Sequence, residues 1–315
     1  MRTNMPTKMY RFSVLTSKLT VLLLLYFPIM VLADQVSNQD RALFWSIQKD
    51  GKQAGYLLGT IHSEDPRVLE FSEDFLIKLK ESKFYAMELV PDLPTLTRLT
   101  EYMQYPPGQT LQSAIGAARF DSLTSVLSTH GIPLEMFNRL KPWAAMMTLS
   151  MPPPETGFFM DLSLSLRATG NGLEVVGLET LEEQLSFLEE MPLPMQLSLL
   201  DQAIAQYDQV NDVHDQMVDA YLKNNLHELE ALTEKQLEEV GQQAGAYFID
   251  SGIHSRNQRM AQSLLLQLEH GTVFVAVGAL HLPGEKGLIN ILRRQGFVLN
   301  PLKIPFAESR VTPGQ

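Results

Sequence analysis

The chain has 315 residues, with 36 Asp and Glu against 25 Lys and Arg, and no cysteine. The lack of any thiol excludes disulfides, thiol catalysis, cysteine-ligated metals and lipoprotein acylation. A net charge of −11 argues against binding nucleic acid or anionic lipid through bulk charge.

The N-terminus reads as a targeting segment. Arg2, Lys8, Arg11 and Lys18 give a basic start with no acid, Leu19 to Leu32 is almost continuously apolar, and Val31-Leu32-Ala33 resembles a small-residue cleavage site. That apolar run of 14 residues is shorter than the ~20 a spanning helix needs. A signal peptide over residues 1–33, cleaved after Ala33, is therefore expected, and with it a periplasmic or secreted protein. Left uncleaved, the segment would be the chain's one membrane anchor. Cleavage removes four basic residues and takes the net charge from −11 to −15. Residues 34–315 are long enough for a large core and read as a single domain.

Along the chain, Ala42 to Ile47 alternates as a strand, Asp50-Gly51 signals a hairpin turn, and Ala54 to Ile61 returns as a second strand. Ser72 can cap a helix that runs to Lys80, and Phe84 to Leu89 reads as a short buried strand carrying Glu88 near its end. From Leu93 to Ser150 the pattern is helical, broken at Pro106-Pro107-Gly108, Gly131-Ile132-Pro133 and Pro142. Met151 to Gly157, with three consecutive prolines, must be an extended loop. A short helix from Asp161 to Ala168 and the turn Gly170-Asn171-Gly172 lead to a strand from Leu173 to Leu178, which ends at Glu179. Leu181 to about Val240 is again helical and acidic, so residues 93–240 are expected to form a large helical insertion or lid. Ser255 to Glu269 is an amphipathic helix with Met260, Leu264 and Leu268 on one side. The strand Val273–Val277, a helix from about Lys286 to Gln295 and a last strand Phe297–Ile304 complete the pattern. Together they predict an α/β fold with a mostly parallel or mixed sheet and helices on its faces.

Two short segments repeat one arrangement: Gly59-Thr60-Ile61-His62 and Gly278-Ala279-Leu280-His281 each end an apolar strand with a glycine and then a histidine. Ligands of open α/β sheets gather at the carboxyl ends of strands, and His62, Glu88, Glu179 and His281 all fall there. Two neutral imidazoles and one or two carboxylates form a mixed N/O set suited to Zn, Mn, Co or Fe(II). Such an ion lowers the pKa of bound water, a glutamate can accept the proton, and Arg256 or Arg259 can stabilise developing negative charge. The chemistry implied is hydrolysis. Plainer readings stand beside these roles: Glu88 as half of a structural ion pair, Glu179 as a complement to a helix dipole, and Arg256-Asn257 as a solvated helix start. His130, His214, His227, His254 and His270 read as surface residues. No Gly-x-Ser-x-Gly elbow, His-Glu-x-x-His helix or P-loop is present.

The chain resembles the TraB/PrgY/GumN family, which is related to the animal Tiki proteins. The resemblance is carried by Tyr56-Leu57-Leu58-Gly59-Thr60-Ile61-His62, Met87-Glu88-Leu89, Lys141-Pro142-Trp143, Met160-Asp161 and Gly177-Leu178-Glu179-Thr180 with Glu183-Gln184. It continues in Ser255-Arg256-Asn257-Gln258-Arg259-Met260 and in Val277 to Leu288, and runs from about Ala42 to Leu302. The resemblance implies a metal-dependent hydrolase, the Tiki branch being regarded as manganese- or cobalt-dependent metalloproteases. It also implies an α/β core shared with erythromycin esterase-like and haem-associated lipoprotein families. Carried over residue by residue, it places His62, Glu88 and His281 around the metal and Arg256 and Asn257 near it. Ser255 stands where the family usually has an acid, which removes a salt bridge there but leaves the arginine and asparagine.

Two functions from different classes follow as expectations. One is an exported hydrolase, most simply a peptidase, using water activated on a divalent Mn, Co or Zn ion. The other is a non-catalytic binding protein for a peptide, small molecule or haem.

Overall fold

Six strands make one mixed sheet in the order β4-β3-β5-β2-β1-β6. The computed structural model describes residues 41–127, 133–304 and 306; the expected signal segment and His130 lie outside them. No helix among the described residues is long and apolar enough to cross a membrane.

β1 (Phe44–Lys49) and β2 (Lys52–Thr60) form the expected hairpin. Asp50 (φ 51°) and Gly51 (φ 73°) both turn in the left-handed region, which a two-residue hairpin matching the strand twist requires. β3 (Phe84–Met87), β4 (Glu174–Gly177) and β5 (Val273–Gly278) join β2 in an all-parallel block, β4-β3-β5-β2. β1 runs antiparallel to β2 and to the edge strand β6 (Val298–Leu302). Four neighbouring strands thus deliver their carboxyl ends to one rim.

The sheet core is aromatic and fully buried at its centre. Phe44 packs on Phe75 and Phe274 with ring centroids 5.1 and 5.9 Å apart, and all three rings are buried. Phe75 arrives on the helix Glu73–Lys80, whose N-terminus Ser72 caps by accepting from the Phe75 N–H. The helix Ser255–His270 contributes Met260, Ala261 and Leu264 to the same core.

The helical middle of the chain packs on two cores. The helix Met160–Gly170 buries Met160, Leu164 and Ala168 in the sheet core, and β4 follows it into the sheet, so the helical material is split in two. Part of it builds a second core around Leu111, Phe137, Trp143, Leu149 and Leu200. There the Trp143 indole donates to Glu189 at 2.7 Å, and the Trp143 N–H donates to the buried Gln196 amide at 3.2 Å. The helices Val210–Leu222 and Leu226–Glu239 instead return to the sheet through Val218, Tyr221, Leu226 and Leu229. The Tyr221 hydroxyl donates to the Gly59 carbonyl at 2.8 Å, which ties this lobe to the first Gly-x-x-His segment.

Candidate active site

The two Gly-x-x-His segments leave adjacent parallel strands in register, Gly59 beside Val277 and Thr60 beside Gly278. Both glycines answer a demand for space. A β-carbon at Gly59 would come within 2.9 Å of the Ala279 Cα, so the first segment lies directly against the second. One at Gly278 would lie 3.2 Å from Glu88 Oε1, a carboxylate that the Gly278 N–H contacts at 2.7 Å. Gly278 has φ −50°, which any residue can adopt, so proximity to Glu88 is what favours glycine there.

Glu88 is the hub of a buried polar network. β3 stops at Met87, two residues earlier than the pattern suggests, and Glu88 follows it onto the rim. Its Oε1 accepts from Gly278 and faces His281 Nε2 at 3.6 Å; its Oε2 accepts from Arg256 Nη2 at 2.6 Å and Gln184 Nε2 at 3.2 Å. Arg256 in turn donates through Nε and Nη2 to Glu179 Oε2 at 2.9 and 2.7 Å. Burial alone would raise the Glu88 carboxyl. The charge of a protonated His281, that of Arg256 and the Gly278 N–H outweigh it and bring Glu88 down to about 2. Burial lowers His281 to about 4, so at neutral pH this imidazole is uncharged and Arg256 is what keeps Glu88 ionised.

Asn257 sets the His281 tautomer. The Asn257 amide nitrogen donates to the Lys286 carbonyl at 2.9 Å. A carbonyl can only accept, so the amide oxygen is the atom 2.6 Å from His281 Nδ1. Nδ1 must then carry the proton, and Nε2 presents a lone pair toward Glu88 Oε1. Two acceptors facing each other with no proton between them form an arrangement that a cation completes.

Glu179, expected at the start of a helix, is sealed beneath Arg256 with no side-chain exposure. Its burial raises its carboxyl against the pull of Arg256. The helix Leu181–Glu189 is capped instead by Thr180 and Glu183 in a reciprocal capping box. Arg259 donates to the Glu183 carbonyl at 3.1 Å. Neither arginine is among the residues that line the adjoining cavity. Arg256 and Asn257 begin the helix Ser255–His270 immediately after a π-helical stretch, Phe248–His254; such stretches recur at functional sites.

His62 stands apart from this network. Its side chain is 57% exposed, its Nδ1 lies 3.8 Å from Asp161 Oδ2, and its ring stacks on Phe159 at 3.8 Å. Both histidines nevertheless line one cavity of about 640 Å³, His62 with Thr60 and Ile61, His281 with Gly278 and Leu280. Its far wall comes from the helices Val210–Leu222 and Leu226–Glu239, including Val213, Met217, Leu229 and Leu232. His214 lines it too and is not the simple surface residue expected; its helix turns that face inward. His227 and His254 make exposed pairs with Glu230 and Asp250. Asp161 and Gln184 were visible only as parts of the Met160-Asp161 and Glu183-Gln184 segments, while Phe159 and Glu64 gave no signal.

The donor chemistry fits a divalent cation: a neutral imidazole nitrogen and an ionised carboxylate oxygen converge at His281 and Glu88, with a second imidazole in the same cavity. Among the described residues no three His, Cys, Asp or Glu side chains are close enough to enclose an ion, so His62 is not drawn onto the His281–Glu88 pair here.

Residues 43–301 match the TraB/PrgY/gumN family. The chain belongs to the TraB/PrgY/gumN family. Among relatives of this TraB/PrgY/gumN member, a protein of Danio rerio named Metalloprotease TIKI1 is 25% identical over 308 residues, covering 81% of this chain and 62% of that protein. Metalloprotease TIKI2 of the same fish is 24% identical over 325 residues, covering 83% and 61%. The uncharacterized protein YbaP of Shigella flexneri is 25% identical over 252 residues, covering 77% and 89%. The chain thus spans about three fifths of the length of the two Tiki proteins. No solved structure matches it significantly.

Proposed function

We propose that this protein is an exported metal-dependent hydrolase acting on peptides. The observation that carries the reading is the Asn257-oriented His281, whose unprotonated Nε2 faces the ionised Glu88 at the edge of the His62-lined cavity. The names of the Tiki relatives support the same class. His281 Nε2 and Glu88 Oε1 would hold the ion, with His62 as the further imidazole. A bound divalent cation supplies polarisation of a carbonyl oxygen and a lowered pKa for water.

The remaining residues support that seat. Glu88, held ionised by Arg256 and the Gly278 N–H, serves as a ligand. Arg256 keeps Glu88 charged and fixed, and Glu179 fixes Arg256; both are positioning residues. Asn257 holds the proton on Nδ1 of His281. The apolar wall of Val213, Met217, Leu229 and Leu232 gives substrate side chains a surface to bury.

The test is turnover. Stripped of metal and resupplied with Mn, Co or Zn, the protein is expected to cleave members of a broad peptide panel only when metal is present, and His281→Ala is expected to lose that cleavage. The alternative of a non-catalytic binder for a peptide, small molecule or haem would be favoured by no metal-dependent cleavage together with a ligand-induced rise in Tm.

A further inference from the structure

We infer that Asp161 is the positioning residue for His62, the counterpart of Asn257 at His281, and that Glu64 clamps the segment that carries it. The importance of His62 rests on the metal reading above; the assignment of Asp161 rests on geometry.

An imidazole that is 57% exposed has rotamer freedom to lose on being fixed, and this one has a stacking ring on one side and a carboxylate facing its Nδ1. Its ring lies on Phe159 with planes 15° apart. Its Nδ1 faces Asp161 Oδ2 at 3.8 Å, a longer approach than the 2.6 Å between Asn257 and His281, which leaves Nε2 on the opposite side of the ring. Asp161 is itself fixed: the buried Thr60 hydroxyl donates to its Oδ1 at 2.6 Å, leaving Oδ2 for the histidine. Asp161 thus occupies a prepared polar position.

The segment bearing Phe159 and Asp161 is strapped along the His62 segment. The Met160 N–H donates to the Ser63 carbonyl at 3.1 Å. Glu64 Oε2 accepts from the backbone N–H groups of Glu155 and Thr156 at 3.0 and 2.8 Å and from the Thr156 hydroxyl at 3.1 Å; Oε1 accepts from the Gly157 N–H at 2.7 Å. One carboxylate satisfying consecutive backbone donors makes a strong, charge-assisted clamp. It gives the proline-rich loop a defined position, and with it the stacking ring and the carboxylate that orient His62.

The experiment reads the tautomer in the metal-free protein, by long-range proton–nitrogen correlation on histidine-labelled samples, with His62 assigned from the loss of its signals in His62→Gln. The unsubstituted protein is expected to show the proton on Nδ1 of His62. In Asp161→Ala it is expected to move largely to Nε2 while His281 keeps its Nδ1 proton, and divalent-metal affinity is expected to fall about 10- to 100-fold, the usual loss on removing an outer-shell partner. Loss of the His281 signal pattern would mean that this variant has not folded, and Thr60→Val, which frees the carboxylate, is then read the same way. A His62 tautomer unchanged in the folded variant, or already on Nε2 in the unsubstituted protein, overturns the assignment. Because the tautomer is read without metal, that failure is distinct from failure of the unsubstituted protein to bind a cation, which would sink the metal reading alone.

Discussion

Replacing Arg256 with methionine is expected to lower the stability of the folded protein by about 3–5 kcal/mol, the usual loss when one partner of a buried ion pair is removed. The physical reason is the pair of carboxylates it leaves behind. Glu179 has no side-chain exposure, and Glu88 is mostly buried; both depend on the same guanidinium. Glu88 retains the Gly278 N–H and Gln184, but among the described residues the Glu179 carboxylate keeps only Arg259 at 3.7 Å. Urea denaturation followed by circular dichroism measures the loss. The double variant Glu179→Met with Arg256→Met is expected to recover part of it, because the stranded buried charge is removed along with its partner. A single variant as stable as the unsubstituted protein would show that the network is not held by this arginine.

Replacing Asn257 with leucine is expected to weaken divalent-metal binding about 10- to 100-fold. Asn257 is fully buried and bonds His281 at Nδ1, so the substitution leaves both proposed ligands, His281 and Glu88, in the chain. What it removes is the acceptor that keeps the proton on Nδ1. Without it His281 is free to carry its proton on Nε2, donate to Glu88 Oε1, and close the seat to a cation. Isothermal titration with Mn or Co measures the effect. An affinity equal to that of the unsubstituted protein would mean that the tautomer is set elsewhere.

Much of this arrangement was legible in the sequence because period and punctuation report burial directly. The Asp50-Gly51 hairpin, the strands ending at Gly59 and Gly278 and the placement of Glu88, Glu179, His62 and His281 past strand ends all follow from apolar runs that stop. The parallel block then brings those four residues to one rim in the order Glu179, Glu88, His281, His62, the order of their strands. What the sequence did not reveal are pairings between distant segments. Thr60 and Asp161 are 101 positions apart and Glu88 and Arg256 are 168 apart, and no local pattern says which buried charge meets which. The plain and the chemical readings of Glu88 were not alternatives: it is both an ion-pair partner of Arg256 and the neighbour of His281. Which core each helix of the middle region joins was not legible, because periodicity shows that a helix has an apolar face without showing what that face packs on. Met160, Leu164 and Ala168 join the sheet, whereas Trp143 and Leu200 join the second core.

The most direct test is metal binding itself. Titrated with Mn, Co or Zn after chelator treatment, the unsubstituted protein is expected to bind about one or two equivalents, the number of ions a mixed His and carboxylate site holds in hydrolases. His281→Ala and His62→Ala are each expected to abolish that binding while keeping the circular dichroism of the folded protein. Undiminished binding in both variants, or none in the unsubstituted protein, would contradict the account.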